Sequence, residues 1–406
     1  MNTTQLCATF DPEVRLSSPM TLRGDLSFIA RGPEDPVLLH RMLERQSQVT
    51  LTGFPMGFHQ CAYQVDERTL HSLFLPSFVQ PFVAGKGLVN GQTSMRLLQS
   101  YPMPARGNHV EGRPYEDAYC LLQNRHGVLP WHGNVVVYGW KGSELARLLG
   151  GKRWHFRQTV EKDALLVVCI RKKMKKWDER RPWQAGSFPI WPHTLVILEC
   201  ESALETESWK HQVDAIMTTF TENPHPQKLA DIIRGREDPT GRLPYTMPLL
   251  LPPGWKVAHG TMKPADRWQT VRVPPFFGYR ANEKGSFCFG HGLSYTRFRF
   301  DGLRIGSEEL SFRVTNIGRF SGSASIQVYL QHLERKYPQP RSILRDFRRI
   351  FLKAGASEEV SIPLDDRFFT IWDENCWSFV PKRDHCVVEI GMSSEEICLT
   401  AELFGP

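Results

Sequence analysis

The segment FCFGHGLSYTRF, residues 287–298, separates two regions of this chain that differ in their hydrophobic pattern. Gly290 and Gly292 allow the backbone to turn tightly here, because glycine has no Cβ. Phe289 and Tyr295 supply large aromatic surfaces whose burial stabilises a fold. We therefore predict that this junction segment is packed between the region before it and the region after it.

The region after the junction segment alternates between apolar and polar residues, as half-buried strands do. Leu310, Phe312 and Val314 form one such run, and similar runs are centred on Val328 and Val388. Turn residues, mainly Asn, Gly and Ser, separate the runs. Short alternating strands with turns at this spacing predict a β-sandwich.

The region before the junction segment contains apolar runs that are continuous rather than alternating, at residues 135–137, 165–168 and 195–198. Continuous runs are typical of strands that are buried on both faces of a parallel sheet. Between them, apolar residues at helical spacing predict helices over residues 143–149 and 209–220. The alternation of strands and helices predicts α/β layers with a parallel sheet.

The composition is that of an ordinary globular protein and argues against several classes. Lys and Arg number 50 and Asp and Glu 43, and the resulting charge of +7 is spread along the chain, which favours no nucleic-acid partner. The sequence contains no stretch of about 18 apolar residues, and its first 20 residues hold no apolar signal-peptide core. We therefore expect neither a membrane span nor export.

The nine cysteines are scattered, without a Cys-x-x-Cys pair or the paired histidine spacing that zinc needs. The sequence therefore predicts no metal site and no cofactor. An odd number of cysteines without regular spacing fits a reducing compartment better than a disulfide-bonded secreted domain. We therefore expect a cytoplasmic location.

The junction segment closely resembles the FPFGHGLSYTTF element of glycoside hydrolase family 3, the β-glucosidase family, and FFGYR at residues 276–280 resembles its GYR element. Further similar elements lie before these two, in the same order as in the family. LADII at residues 229–233 resembles LADVLFG, DPTGRLP at residues 238–244 resembles NPSGRLP, and PHTLVIL at residues 192–198 resembles PNTVVVL. The resemblance covers the chain from about Tyr119 to Phe404.

The first part of the chain resembles the family in separate pieces. SPMTLRGD at residues 18–25 is similar to SPLGGRGFE, EDP at residues 34–36 is similar to the EDP that follows it, and residues 66–78 resemble DERTLREIYLPPF. Apolar spacing also predicts a helix over residues 66–82. The match implies descent from a (β/α)8 barrel, which needs about 200–250 residues and cannot be completed here.

The patterns and the resemblance together predict a multidomain α/β plus β protein. The predicted domains are a remnant of the glycosidase barrel over residues 1–118, an incomplete α/β layer domain of the family 3 type over 119–258, a connector with the GYR and FGHGLSY segments over 259–297, and a C-terminal fibronectin type III-like β-sandwich over 298–406.

The chemistry of the family requires two carboxyl groups about 5 to 5.5 Å apart, a nucleophile and an acid. The resemblance implies a nucleophilic Asp in a VSDW segment, but residues 92–116 contain no Ser-Asp-Trp. Asp178 or Glu179 is the candidate acid, because WDERR is similar to a WExEGxDR loop. Arg180 and Arg181 favour the ionised carboxylate, which opposes an acid role, so a solvated charge cluster is the alternative.

The resemblance also implies three candidate substrate-binding residues. Arg23 and Asp25 are candidates for contact with a sugar, and His59 is a candidate remnant of the Lys-His pair that holds the sugar in the family. An ordinary packed or surface histidine is the alternative for His59.

Two functions therefore stand open. The resemblance implies a β-glucosidase-like protein linked to the hydrolysis of terminal β-D-glucosyl residues, with a β-glucoside or another carbohydrate as partner and with weak activity or none, because the nucleophile segment is missing. The alternative is a non-catalytic carbohydrate-binding or protein-interaction remnant. A truncated or misassembled gene product is a third reading.

Overall fold

The computed structural model describes most of the second half of the chain and short pieces of the first. The described residues are 3–15, 20–23, 35, 37–38, 41–42, 49–52, 62–64, 87–88, 113–114, 116–139, 142–153, 161–171, 191–199, 204, 206–221, 223–249, 270–272, 278–333, 340–373, 376 and 378–404. Within them, no helix is both long enough and apolar enough to span a bilayer.

The first 114 residues contribute short elements. They are α1 (Thr3–Ala8), β1 (Val14–Arg15), β2 (Met20–Arg23), β3 (Val49–Thr52), β4 (Ala62–Gln64), β5 (Gly87–Leu88) and β6 (Arg113–Pro114). β2 pairs with β3, β3 with β5 and β1 with β6, and each of these pairs is parallel. Parallel neighbours require crossover connections, as in a chain of strand–helix units. The helix predicted over residues 66–82 lies outside the described residues.

In the described part of the next region, a six-stranded sheet is accompanied by two α-helices. Its elements are β7 (Cys120–Asn124), β8 (Val135–Gly139), α2 (Gly142–Leu148), β9 (Lys152–Arg153), β10 (Leu165–Arg171), β11 (Thr194–Glu199), β12 (Ala215–Thr218) and α3 (Pro226–Ile233). The strand order is β7-β12-β11-β10-β8-β9. All neighbours are parallel except β7, which is antiparallel to β12. The predicted α/β layers with a parallel sheet are confirmed.

The helix predicted over residues 143–149 is confirmed by α2, but the helix predicted over residues 209–220 is wrong. A short 3-10 turn, Lys210–Gln212, is followed there by β12, whose four residues are all buried. A strand that is covered on both faces carries consecutive apolar residues, and these also satisfy helical spacing. Pairing with β11 and β7 decides in favour of the strand.

The end of the α/β region and the connector contain short elements around the junction segment. They are β13 (Met247–Pro248), β14 (Thr270–Arg272), a 3-10 turn (Gly278–Ala281) and β15 (Gly285–Phe287). β13 is antiparallel to β15, and β14 is parallel to β4.

The last region is the predicted β-sandwich. Its elements are β16 (Phe298–Ile305), β17 (Glu309–Asn316), β18 (Gly322–His332), β19 (Ile343–Leu352), β20 (Ser357–Pro363), α4 (Asp366–Phe369), β21 (Thr370–Asp373), β22 (Ser378–Pro381), β23 (Cys386–Gly391) and β24 (Ile397–Leu403). The sheets β16-β17-β20 and β19-β18-β23-β24 enclose a common apolar core. The predicted fold class, α/β layers plus a β-sandwich, is therefore confirmed.

The N-terminal helix α1 lies in the interior, which the sequence pattern did not predict. The carbonyl oxygen of Ala8 accepts a 2.9 Å hydrogen bond from the backbone N–H of Arg242. The ring of Phe10 contacts Phe289 of the junction segment, with ring centroids 5.6 Å apart, and Phe347 of β19, with centroids 5.9 Å apart. The N-terminus therefore packs where the α/β sheet, the junction segment and the sandwich meet.

Candidate functional site

The carboxyl ends of the parallel strands are the candidate site in this fold. The five parallel strands are arranged β9-β8-β10-β11-β12 in space. Chain order therefore reverses between β8 and β10, since β9 lies on one side of β8 and the later strands lie on the other. In open α/β sheets, ligands bind outside the carboxyl ends of the strands at this switch point.

The backbone at the switch point requires glycine. Gly139 ends β8 with φ of +120°, and a Cβ placed on it would lie 2.3 Å from the carbonyl oxygen of Cys169 in β10. A side chain at this position would be strained and would also push the two strands apart. The close approach keeps the ends of β8 and β10 together.

Glu199 is a buried carboxylate at the same edge and was not among the predicted site residues. It ends β11 and is 1% exposed. Burial raises the pKa of the Cys169 thiol, and the nearby charge of Glu199 raises it further. A signal was present in the sequence, because an acidic residue directly follows a continuous apolar run. Because Glu199 is buried, its charge acts on neighbouring groups in the interior of this edge, such as Cys169.

The predicted site residues fall mainly in other parts of the chain. The structure describes the backbone of Arg23, the last residue of β2. Asp25, His59, Asp178 and Glu179 lie outside the described residues. The roles of all five residues therefore stay predictions. In the sequence, Asp178 and Glu179 follow β10, whose last residue, Arg171, lies at this edge of the sheet.

Two of the sequence elements that carried the resemblance contact each other directly. Both carboxylate oxygens of Asp238, in DPTGRLP, lie 2.9 Å from the hydroxyl of Ser294, and Oδ1 accepts a 2.7 Å bond from the N–H of Tyr295. Burial raises the pKa of Asp238, and these hydrogen bonds and Arg242 partly offset that increase. The two elements therefore form one partly buried polar contact.

The histidine of the junction segment is a structural group. Nε2 of His291 donates a 2.7 Å hydrogen bond to the carbonyl oxygen of Leu122 in β7. Burial lowers the pKa of His291, with a smaller contribution in the same direction from Arg242, and so favours the neutral ring. Leu293 adds a backbone bond to Leu121 of the same strand, 2.7 Å long. The junction segment is thereby fixed along the edge of the six-stranded sheet.

Gly292 is expected to tolerate no side chain. A Cβ on Gly292 would lie 2.5 Å from the carbonyl oxygen of Gly241 and 2.8 Å from Cδ of Arg242, so alanine must displace backbone. We expect Gly292→Ala to lower the free energy of unfolding by about 2–3 kcal/mol, as measured by urea denaturation. Gly302→Ala is the control, because φ is +69° but the space is open. A loss for Gly292→Ala no larger than that of the control would contradict the prediction.

Comparison with known proteins identifies both regions. The family model Glycosyl hydrolase family 3 C-terminal domain matches residues 190–295, and the Fibronectin type III-like domain matches residues 324–394. Thermostable beta-glucosidase B of Acetivibrio thermocellus is 28% identical over 183 residues, covering 42% of this chain and 24% of that protein. Exo-alpha-(1->6)-L-arabinopyranosidase of Bifidobacterium longum is 28% identical over 221 residues, covering 51% of this chain and 28% of that protein.

Solved structures show the same fold. The Bifidobacterium adolescentis GH3 beta-glucosidase superposes with a TM-score of 0.73 at 15% identity, covering 99% of this chain and 87% of that chain. Beta-glucosidase 3B of Thermotoga neapolitana in complex with glucose gives a TM-score of 0.72 at 18% identity, covering 100% of this chain and 88% of that chain.

An α/β layer is joined here through an FGHGLSY junction to a fibronectin type III-like sandwich. The matches to the C-terminal domain of glycosyl hydrolase family 3 and to the fibronectin type III-like domain support a member of glycoside hydrolase family 3, and the chain is β-glucosidase-like in sequence and fold. Its sequence matches span about a quarter of the length of the curated relatives, 24% and 28% in the two given above.

Proposed function

We propose that this protein binds a β-glucoside or a related carbohydrate and hydrolyses terminal β-D-glucosyl residues weakly or not at all. One observation carries the proposal: β10 ends at the switch point of the sheet, and the segment with Asp178 and Glu179 follows it directly. A relative with the same fold is described in complex with glucose, which supports a carbohydrate as the ligand.

In this proposal the chain supplies some of the catalytic and sugar-binding groups of a retaining glycosidase. Asp178 or Glu179 would protonate the departing glycosidic oxygen, while Arg180 and Arg181 hold both carboxylates towards the ionised form and so weaken that role. Arg23, Asp25 and His59 would contact the sugar, as the resemblance implies.

The nucleophile decides between slow hydrolysis and none. Covalent catalysis requires a carboxylate opposite the acid, and residues 92–116 hold no Ser-Asp-Trp that would supply it. This absence favours a second candidate function, a non-catalytic carbohydrate-binding or protein-interaction module. Binding alone gives little acceleration, because catalysis depends on groups that stabilise the transition state more than the substrate.

We expect the purified protein to release a chromogenic phenol from an aryl β-glucoside far more slowly than a family 3 β-glucosidase assayed beside it. Calorimetry with glucose on the same preparation measures binding separately from turnover. We expect binding to persist where turnover is low, because the two depend on different residues.

Matched variants make this test specific. Asp178→Asn and Glu179→Gln remove the candidate acids, and Asp163→Asn is the control, because Asp163 is exposed at the opposite end of β10. Robust turnover that is abolished by Asp178→Asn or Glu179→Gln, and retained in Asp163→Asn, would overturn the weakly active reading and identify an essential acid. If the unaltered protein shows neither turnover nor glucose binding, the protein-interaction module remains as the function.

A further inference from the structure

Three side chains of different chemistry meet at one end of the sandwich sheet β19-β18-β23-β24. His332 ends β18, Cys386 begins β23 directly opposite it, and Asp384 lies two residues before Cys386. Nδ1 of His332 is 2.7 Å from Oδ1 of Asp384. Sγ of Cys386 is 3.2 Å from that Nδ1 and 3.0 Å from that Oδ1. Three atoms that can each bind a cation therefore form a small triangle.

The triangle has dimensions that one metal ion can bridge. Zinc binds histidine nitrogen and carboxylate oxygen at about 2.0–2.2 Å and cysteine sulfur at about 2.3 Å. Every edge of the triangle is shorter than twice these lengths, so an ion above its centre can reach all three atoms. We propose that His332, Asp384 and Cys386 form a binding site for a borderline-soft divalent cation of the zinc type, with a fourth position left for water.

The surroundings of the triangle favour ligands that are held in place. His332 is 3% exposed and Cys386 is fully buried, while 11% of the Asp384 side chain reaches solvent and provides an approach for the ion. Burial lowers the pKa of His332, so the ring is neutral and has a lone pair to donate. Hydrogen bonds from Cys386, Lys382 and His332 outweigh burial and lower the pKa of Asp384 to about 2, which keeps the carboxylate ionised.

Binding of the ion would replace one proton. Burial raises the pKa of the Cys386 thiol, and the charge of Asp384 raises it further, so the thiol keeps its proton when no metal is present. The ion forms a bond to sulfur, and the S–H proton leaves to solvent. Without metal, Nδ1 of His332 donates its proton to Asp384. The neutral ring must therefore carry this proton on Nε2 instead before Nδ1 can bind the ion. Affinity should therefore increase with pH, because the metal competes with the thiol proton.

Two cations near the triangle oppose binding. Nζ of Lys382 is 2.6 Å from Oδ2 of Asp384, and the guanidinium of Arg345 is close enough to lower the pKa of His332 and to counteract the rise at Cys386. With three protein ligands and these charges, we expect weaker binding than in a four-ligand structural zinc site. Removal of the Lys382 charge by Lys382→Met is expected to strengthen binding severalfold.

The spacing of residues in the sequence does not reveal this site, because its ligands are distant from each other along the chain. His332 and Asp384 are 52 residues apart, and the antiparallel pairing of β18 with β23 brings them together. The inference does not depend on carbohydrate binding, since the triangle lies in the sandwich. Its test therefore stands apart from that of the proposed function.

The test is titration of the full chain with Co²⁺, followed by competition with Zn²⁺. We expect one equivalent of Co²⁺ to give the absorption band of a thiolate–cobalt bond, Zn²⁺ to abolish the band, and about one proton to be released per ion. Cys386→Ser should lose the band, and Asp384→Asn should weaken Zn²⁺ binding on the order of 10–100-fold or more.

The matched control is Cys288→Ser, which removes another buried thiol, one that lies 3.3 Å from the hydroxyl of Ser393. This variant should keep the band and the affinity. Thermal unfolding of each variant without metal separates loss of the site from loss of the fold, and Asp384→Asn, which keeps the thiol, remains informative if Cys386→Ser unfolds. Absence of the band in the unaltered chain, or its persistence in Cys386→Ser, would overturn the proposal.

Discussion

Replacement of Phe289 by alanine is expected to lower the free energy of unfolding by about 3–5 kcal/mol. Phe289 is fully buried in the junction segment. Its ring stacks on Tyr279, with centroids 4.6 Å apart, and meets Phe10 edge-on at 5.6 Å. Alanine would leave a cavity lined by groups from three parts of the chain. These groups are held in place by other contacts and cannot all move inward to fill the cavity. Chemical denaturation of the full chain measures the change.

Phe351→Ala is the matched control for this prediction. Phe351 is also a phenylalanine of the C-terminal region, but it is 58% exposed on β19. A surface substitution of this kind changes stability by about 0.5 kcal/mol or less. Similar losses in Phe289→Ala and Phe351→Ala would show that the junction segment is not a core.

The sandwich could be predicted wherever one face of a strand meets the core and the other meets solvent. β17 alternates between buried and more exposed residues in this way. β18 does not, because residues 322–330 are all buried. Nε2 of Gln327 donates to the carbonyl oxygen of Met392 at 2.6 Å, and Tyr329 packs edge-on against Tyr279 of the connector. The second face of β18 is covered by residues that no local pattern brings together.

The candidate site could be predicted less completely than the fold. Continuous apolar runs gave the strands β8, β10 and β11, but their order in the sheet follows from long-range pairing. The switch point depends on that order, so its location could not be read from periodicity. The wrong helix at residues 209–220 has the same origin, because β12 gains its partners β11 and β7 from distant parts of the chain. The candidate acids and sugar contacts rest on the resemblance and stay predictions.

Replacement of Asp238 by alanine is expected to lower the free energy of unfolding by about 2–4 kcal/mol. The variant would leave the hydroxyl of Ser294 and the N–H of Tyr295 without their acceptor at a partly buried site. Each buried polar group that loses its partner costs about 1–3 kcal/mol. Urea denaturation at neutral pH measures the loss, and Asp301→Ala, at an exposed ion pair with Arg299, is the control.

The pH dependence of the same carboxylate gives an independent check. Burial raises the pKa of Asp238 above its ordinary value, although hydrogen bonds and Arg242 offset part of the increase. A raised pKa in the folded state means that the protonated form is favoured by folding, so this contribution to stability is complete below the unfolded pKa. It is lost as pH rises through the folded pKa. The stability of the unaltered chain relative to Asp238→Asn should therefore decrease across that interval, because asparagine cannot ionise. A difference that instead increased with pH would mean that the ionised carboxylate is favoured by the junction, and that its hydrogen bonds outweigh its burial.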